Sequence, residues 1–198
     1  MPYLPIDPMD VGRNYDPIIR VNSQSGAAAS AYILENSYGI MIPKAMQRDF
    51  GPLVTNESDR RGAELSSEDI YKLFKENYIN KDIPAELLHW KESREGEASY
   101  VVGAIKWKGT EKAIDGYGDG VIEAFCRGLM EATDIHFDIK HYSQHALESG
   151  REARAITYIG ISVNGNSIAF GAGVSRNITT SSIKAVVSAL NSSISGTC

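Results

Sequence analysis

From about residue 82 the chain reads as one pattern written twice, and this repeat constrains the fold more than any other feature. In the first copy "ELLHWKES", "ASYVVGAIKWKG" and "TEKAIDGYGDG" are strand-like, and the middle one places Val101, Gly103, Ile105 and Trp107 on a single face. "VIEAFCRGLMEA" follows as a helix with Val121, Ile122, Phe125, Leu129 and Met130 on one stripe. In the second copy "HFDIKHYSQHAL", "AITYIGISVNG" and "NSIAFGAGVSRN" are strand-like, with a hairpin turn after Val163 and Asn164. "TTSSIKAVVSAL" then carries Ile183, Val186, Val187 and Leu190 on its apolar side. A period of about 60 residues is longer than solenoid repeats use, and two copies suit a pseudo-twofold domain better than an open array. Each unit has a sheet face to hide, and the other unit is its natural cover.

Ahead of the repeat the signals are helical. The first 17 residues hold Pro2, Pro5, Pro8 and Pro17, which predict an extended arm because proline fixes φ and pushes its predecessor out of the helical region. "NSQSGAAASAYILENSYG" reads as a polar cap cluster, a helix and a stop at Gly39. "PKAMQRDFGPLV" starts a second helix at Pro43, with Met46, Phe50, Leu53 and Val54 at spacings of three and four. "LSSEDIYKLFKENY" has a serine cap at Ser66 or Ser67 and acids in its first turn, while the intervening "TNESDRRGAELSS" reads as loop. The expected fold is therefore α+β: a linker arm over 1–17, a helical subdomain over 18–81, and two βββα units over 82–198.

Composition narrows the partners. Twenty basic against 25 acidic side chains give a net charge of −5, which lends no attraction toward phosphate backbones or anionic lipid. Neither nucleic acid nor membrane is expected. The apolar runs are far shorter than the roughly 20 residues of a membrane span, and the start lacks the basic end and apolar centre of a signal peptide, so a cytoplasmic location is expected. Two cysteines, Cys126 and Cys198, spell no disulfide framework or zinc spacing.

The chemistry-bearing candidates are few. "GYGDG", at 116–120, precedes a helix, and three glycines there suggest positive φ and N–H groups aimed at one anion, helped by the helix start. A carboxylate suits such a loop better than a nucleotide, because the Gly-Lys-Ser/Thr ending of a Walker loop and the βαβ context of a Rossmann loop are missing. A tight strand-to-helix turn without any ligand is the alternative. Asp138, His141 and His145 invite a metal, yet strand residues four apart lie roughly 13 Å apart, too far for one ion on an unbent strand. Cys126 reads as a small packed residue beside the apolar stripe.

"LPIDPMDVGRNYDPIIRVNSQSG", "HALESGREARAITYIGISV" and "ITTSSIKAVVSALN" together resemble, in order and over nearly the whole chain, the C-terminal half of the 2-isopropylmalate synthases. In that family a TIM barrel holds a divalent metal and condenses acetyl-CoA with 2-oxoisovalerate, and a regulatory domain of two βββα units binds leucine as feedback inhibitor. The barrel motifs and the metal-binding His-x-His pair do not occur here. The resemblance therefore implies an excised C-terminal piece, inactive by itself and without cofactor, that dimerises and answers to leucine. Tyr3 would lie near a neighbouring subunit's active site in the intact enzyme.

The family's loop Gly-x-Gly-Pro-Val-Asp-Ala corresponds to "GDGVIEA": Gly118, Gly120 and Ala124 match, while Val121, Ile122 and Glu123 replace proline, valine and aspartate. Carried across, the effector site comprises Gly118, Gly120, Ile122, Glu123, Ile139, Tyr142, Ala146, Ala153 and Ile178, with leucine's carboxylate as the anion at the loop. Two other readings stand beside it: an isoleucine-sensing regulatory region of the citramalate synthases, and a dimerisation module that holds no ligand.

Overall fold

The computed structural model describes residues 26–195 except 149 and 151. The proline-rich arm, Tyr3, the cap cluster ahead of Gly26 and Cys198 lie outside the described residues.

Three helices come first. Helix α1 spans Gly26–Tyr38 and stops where Gly39 takes a φ of 66°. Helix α2 spans Lys44–Arg61, so residues 55–61, expected as loop, are its last two turns. The side chains there explain the difference. Glu57 binds Arg60 at 2.7 Å and Arg61 at 2.6 Å, on the same helix face, and Gly62 closes the helix in the left-handed conformation. Arg61 also reaches Asp69 at 2.6 Å, tying α2 to the start of helix α3, Ser67–Tyr78. Ser66 is the cap: its hydroxyl accepts the Asp69 N–H while the Asp69 carboxylate accepts the Ser66 N–H, a reciprocal capping box.

The duplicated part follows. Strands β1 (Ala85–Glu95), β2 (Ala98–Trp107) and β3 (Thr110–Gly118) form an antiparallel sheet in that order and lead into helix α4 (Val121–Thr133). Strands β4 (Phe137–Ala146), β5 (Ala155–Val163) and β6 (Ile168–Ser175) form the second sheet and lead into helix α5 (Ile178–Ser195). The copies agree in detail. Each first strand carries a bulge, at Leu87/His89 and at Ile139/His141. Each second strand turns into the third through two positive-φ residues, Lys108–Gly109 and Asn164–Gly165. Each helix approaches its third strand at a glycine: a Cβ on Gly116 would run into the Ala124 carbonyl, and one on Gly173 into the Ser181 carbonyl. Gly116 and Gly173, like Ala124 and Ser181, are 57 residues apart.

Both units turn their inner faces to a common core. Val101, Ile105 and Ile114 of the first sheet and Ile159 and Ile161 of the second close around Phe125, Leu129, Ile183, Val186 and Leu190 of the two helices. The opposite face of the second sheet is covered as well. Ile156, Tyr158, Phe170 and Ala172 share a second core with Leu34, Met46, Phe50 and Phe74, so α1–α3 lie directly on that sheet. The division at residue 81 marks a change of sequence texture and no gap in packing. Asn80 reinforces the junction: its Oδ1 accepts the Val174 N–H at 2.9 Å, and its own N–H donates to the Ala172 carbonyl at 2.8 Å.

Candidate functional site

Helix α5 lies over β5 and β6, which leaves the inner side of the edge strand β4 open beside it. Ile139 and Tyr142 pair with Ile161 and Ile159, whose side chains face the inner core, so both belong to that inner side. They are 37% and 48% exposed, and Ile178, the first residue of α5, is 55% exposed. Tyr142 and Ile178 thus stay in water where a helix begins, and Ile139 does so farther along β4, opposite Ile161. Tyr142 is fixed there. Its hydroxyl donates to Gln144 Oε1 at 2.9 Å and lies 3.0 Å from Ser182 Oγ, and Ser182 in turn donates to the Ile178 carbonyl at 3.0 Å. Ala146 ends β4 in an exposed position, and Ala153 sits half-buried in the return to β5, its N–H on the Gly150 carbonyl. Asn177 caps the helix by accepting the Thr180 N–H at 2.9 Å.

The remaining expected residues form a second group on the first unit. Gly118 ends β3, and Gly120 is the cap residue of α4 with an extended φ of −150°. None of Gly116, Gly118 and Gly120 has positive φ, which corrects the expectation of a left-handed nest. At Gly116 and Gly118 the role is steric: a Cβ on Gly118 would crowd the Ala124 N–H and the Glu123 side chain, so hydrogen here lets α4 lie close on β3, whereas a Cβ on Gly120 would meet open space. Glu123 reaches back, its Oε2 accepting the Asp119 N–H at 3.0 Å while its Oε1 binds Arg127 at 2.6 Å. This helix start already carries a carboxylate of its own. Ile122 is half-buried against the common core. The structure therefore ties Tyr142 to the start of α5 through Ser182, leaves Ile139 farther along the same face opposite Ile161, ends β4 at Ala146 and sets Ala153 in the return to β5. No hydrogen bond or ion pair among the described residues joins that group to Gly118, Gly120, Ile122 or Glu123.

Histidines 141 and 145 share the opposite face of β4, where they meet aromatic rings and not solvent alone. The His141 ring lies 5.7 Å from Phe170, and the His145 ring stacks 5.6 Å from Tyr158 with its Nε2 3.0 Å from the Gly39 carbonyl oxygen. Among the described residues no group of three or more His, Cys, Asp or Glu could hold a metal ion. Cys126 is buried, and that burial, with a smaller push from Glu123, raises its thiol to about 12, which keeps it protonated at neutral pH.

Sequence reasoning missed Ser182 and Asn177. A signal existed: Thr157 is a polar residue within a largely apolar strand, and its Oγ1 lies 2.9 Å from Ser181 and 3.4 Å from Ser182, so a hydroxyl cluster links β5 to α5. Buried hydroxyls need partners, and a polar residue inside an apolar run points to them.

Residues 64–194 match the LeuA allosteric (dimerisation) domain, and residues 1–35 match the post-catalytic domain-like family of alpha-isopropylmalate synthase. The chain is 42% identical over 197 residues to the 2-isopropylmalate synthase of Pseudomonas syringae pv. syringae, covering 100% of this chain and 35% of that protein. It is 38% identical over 197 residues to that of Acetoanaerobium sticklandii, covering 98% of this chain and 35% of that protein. The chain thus spans about a third of the length of these curated relatives. No helix among the described residues is long and apolar enough to cross a membrane.

Proposed function

The chain belongs to the LeuA allosteric (dimerisation) domain family, and we propose that it acts as the leucine-binding, homodimeric regulatory region of a cytoplasmic 2-isopropylmalate synthase. In this reading it adjusts the condensation of acetyl-CoA with 2-oxoisovalerate on a metal-dependent barrel that it does not itself contain. Residues 18–81 serve as the linker subdomain and 82–198 as the regulatory domain. The observation that carries the reading is the exposed apolar ledge of Tyr142 and Ile178 at the start of α5, held through Ser182, with exposed Ile139 farther along the same face of β4. A branched aliphatic side chain has an apolar surface to cover there, and a helix start favours the carboxylate attached to it. In this reading Ala146, at the end of β4, and Ala153, in the return to β5, complete the site with small side chains.

The energetics suffice. Burying a leucine side chain supplies about 2 kcal/mol, and each charge-assisted hydrogen bond to its carboxylate or ammonium adds roughly 1.5 to 3. Lost translational and rotational freedom offsets much of this, so affinity should reach micromolar, about −8 kcal/mol. Inhibition further requires leucine to prefer one of two states, typically by about 1 to 3 kcal/mol.

Calorimetric titration of the purified chain with leucine, isoleucine and valine tests the proposal. Saturable heat with leucine preferred supports it. Preference for isoleucine would favour the citramalate synthase reading. A second reading, a dimerisation module without ligand, is favoured by Glu123, whose carboxylate already occupies the Asp119 N–H; silence with all three amino acids would select it.

A further inference from the structure

The turn between β5 and β6 holds a reactive pair of residues. Asn164 and Gly165 are its two central positions, with φ of 51° and 77°, and the Asn166 N–H closes the turn on the Val163 carbonyl at 3.0 Å. Both are exposed, and the Asn164 side chain makes no hydrogen bond among the described residues. The Gly165 N–H lies beyond the β5–β6 ladder, which ends at Ser162 and Ile168. Asn164 is also the only asparagine of the chain that precedes a glycine. Asn36, Asn77, Asn80, Asn177 and Asn191 hold their side chains in hydrogen bonds, while Asn56 and Asn166 are exposed but precede Glu57 and Ser167. The matching turn of the first unit has Lys108 and Gly109 at φ of 48° and 84°, so this backbone does not depend on an asparagine.

We propose that Asn164 is a site of spontaneous deamidation in the folded chain. The Gly165 backbone nitrogen gives up its proton to solvent and attacks the Asn164 Cγ; a new N–Cγ bond forms, the Cγ–Nδ2 bond breaks, and the amide nitrogen takes up protons and leaves as ammonia. Water then opens the cyclic imide at either carbonyl, leaving aspartate or isoaspartate at position 164. One water is consumed, one ammonia is released, and nothing is oxidised or reduced. Glycine permits the attack because no Cβ shields its nitrogen. The product charge falls where it is unwelcome: Asn164 lines a cleft with Asp49 of α2 and with Ser192, Ser193 and Ile194 near the end of α5. A carboxylate there meets a second acid and the negative pole of a helix. Isoaspartate also adds a methylene group to the backbone, which a two-residue turn cannot absorb with its closing hydrogen bond intact. Both products therefore loosen the hairpin on which α5 lies.

Peptide mapping by mass spectrometry tests this on the 198-residue chain aged in warm, mildly alkaline buffer, with circular dichroism confirming that it stays folded. Asn164 is expected to lose its amide roughly tenfold or more faster than Asn56 or Asn166, whose successors carry side chains, and to yield two products separable by chromatography. Asn164→Lys copies the turn of the first unit and is expected to fold and to leave that peptide unchanged on ageing. Amide loss no faster at Asn164 than at Asn56 and Asn166 would overturn the proposal. Thermal melts read the consequence. The aged parent chain is expected to melt below the fresh one, while Asn164→Lys aged alongside keeps its melting temperature. Aged and fresh parent chains that melt together at high conversion would overturn the loosening of the hairpin. None of these outcomes bears on the leucine or homodimer reading.

Discussion

The two sheets share strand order, register, bulge and helix connection, yet their outer faces meet different surroundings. On the second sheet Ile156, Tyr158, Phe170 and Ala172 are buried under three helices; on the first, the same positions are Tyr100, Val102, Ala113 and Asp115. One residue per pair decides the difference. Where the covered sheet has Ala172, the open one has Asp115, whose charge could not be buried without a partner. The strand–strand–strand–helix plan determines how each unit folds inward. Outward side chains alone determine what each unit can adjoin.

The comparison can be broken by substitution. Phe170→Ala should destabilise the chain by about 3 to 5 kcal/mol by opening a cavity under the helices, whereas Val102→Ala in dilute solution should stay within about 0.5 kcal/mol. Urea unfolding measures both, and similar costs would mean that the two faces are equally buried. Gly116→Ala and Gly173→Ala sharpen the likeness of the units. Each forces a methyl group against a helix carbonyl, so each should cost about 1 to 3 kcal/mol, and markedly unequal losses would show that the units pack differently.

Tyr158→Phe tests the covered face from inside. The Tyr158 hydroxyl is buried without a hydrogen-bond partner among the described residues, and removing it should stabilise the chain by about 1 kcal/mol in thermal melts. Asp69→Ala removes one half of the capping box of α3 and should cost about 1 kcal/mol at neutral pH. The Ser66 hydroxyl, then Arg61, holds the Asp69 carboxyl at about 2, below its ordinary range. A depressed carboxyl stabilises the fold above its unfolded value, so this contribution should be complete at neutral pH and vanish as pH falls from about 4 through about 2. Stability of the variant and the parent chain should converge over that interval.

Much of this organisation was legible in the sequence because periodicity reports burial on one face. The alternation of Val101, Ile105 and Trp107 marked the inner side of β2, and Ser66 with Asp69 marked the start of α3. The extension of α2 was hidden because its final turns are polar and held by ion pairs among Glu57, Arg60 and Arg61, which leave no apolar stripe. The covering of the second sheet was written in β5, buried along nearly its whole length. A run such as "AITYIGISV", with apolar residues at both parities of the strand, signals a strand covered on both faces, and only the inner cover was read from it. At the candidate site the glycines were visible but their purpose was not. Close packing and anion binding both require a missing side chain, and only φ separates them.

Hydrogen exchange of the chain with and without saturating leucine tests the central claim most directly. Leucine seated on the ledge should slow exchange of amides at the start of α5, in Tyr142–Ala146 and around Ala153, with Gly118–Glu123 responding if the first unit's loop holds the carboxylate. Unchanged exchange throughout these segments at saturating leucine would contradict the account.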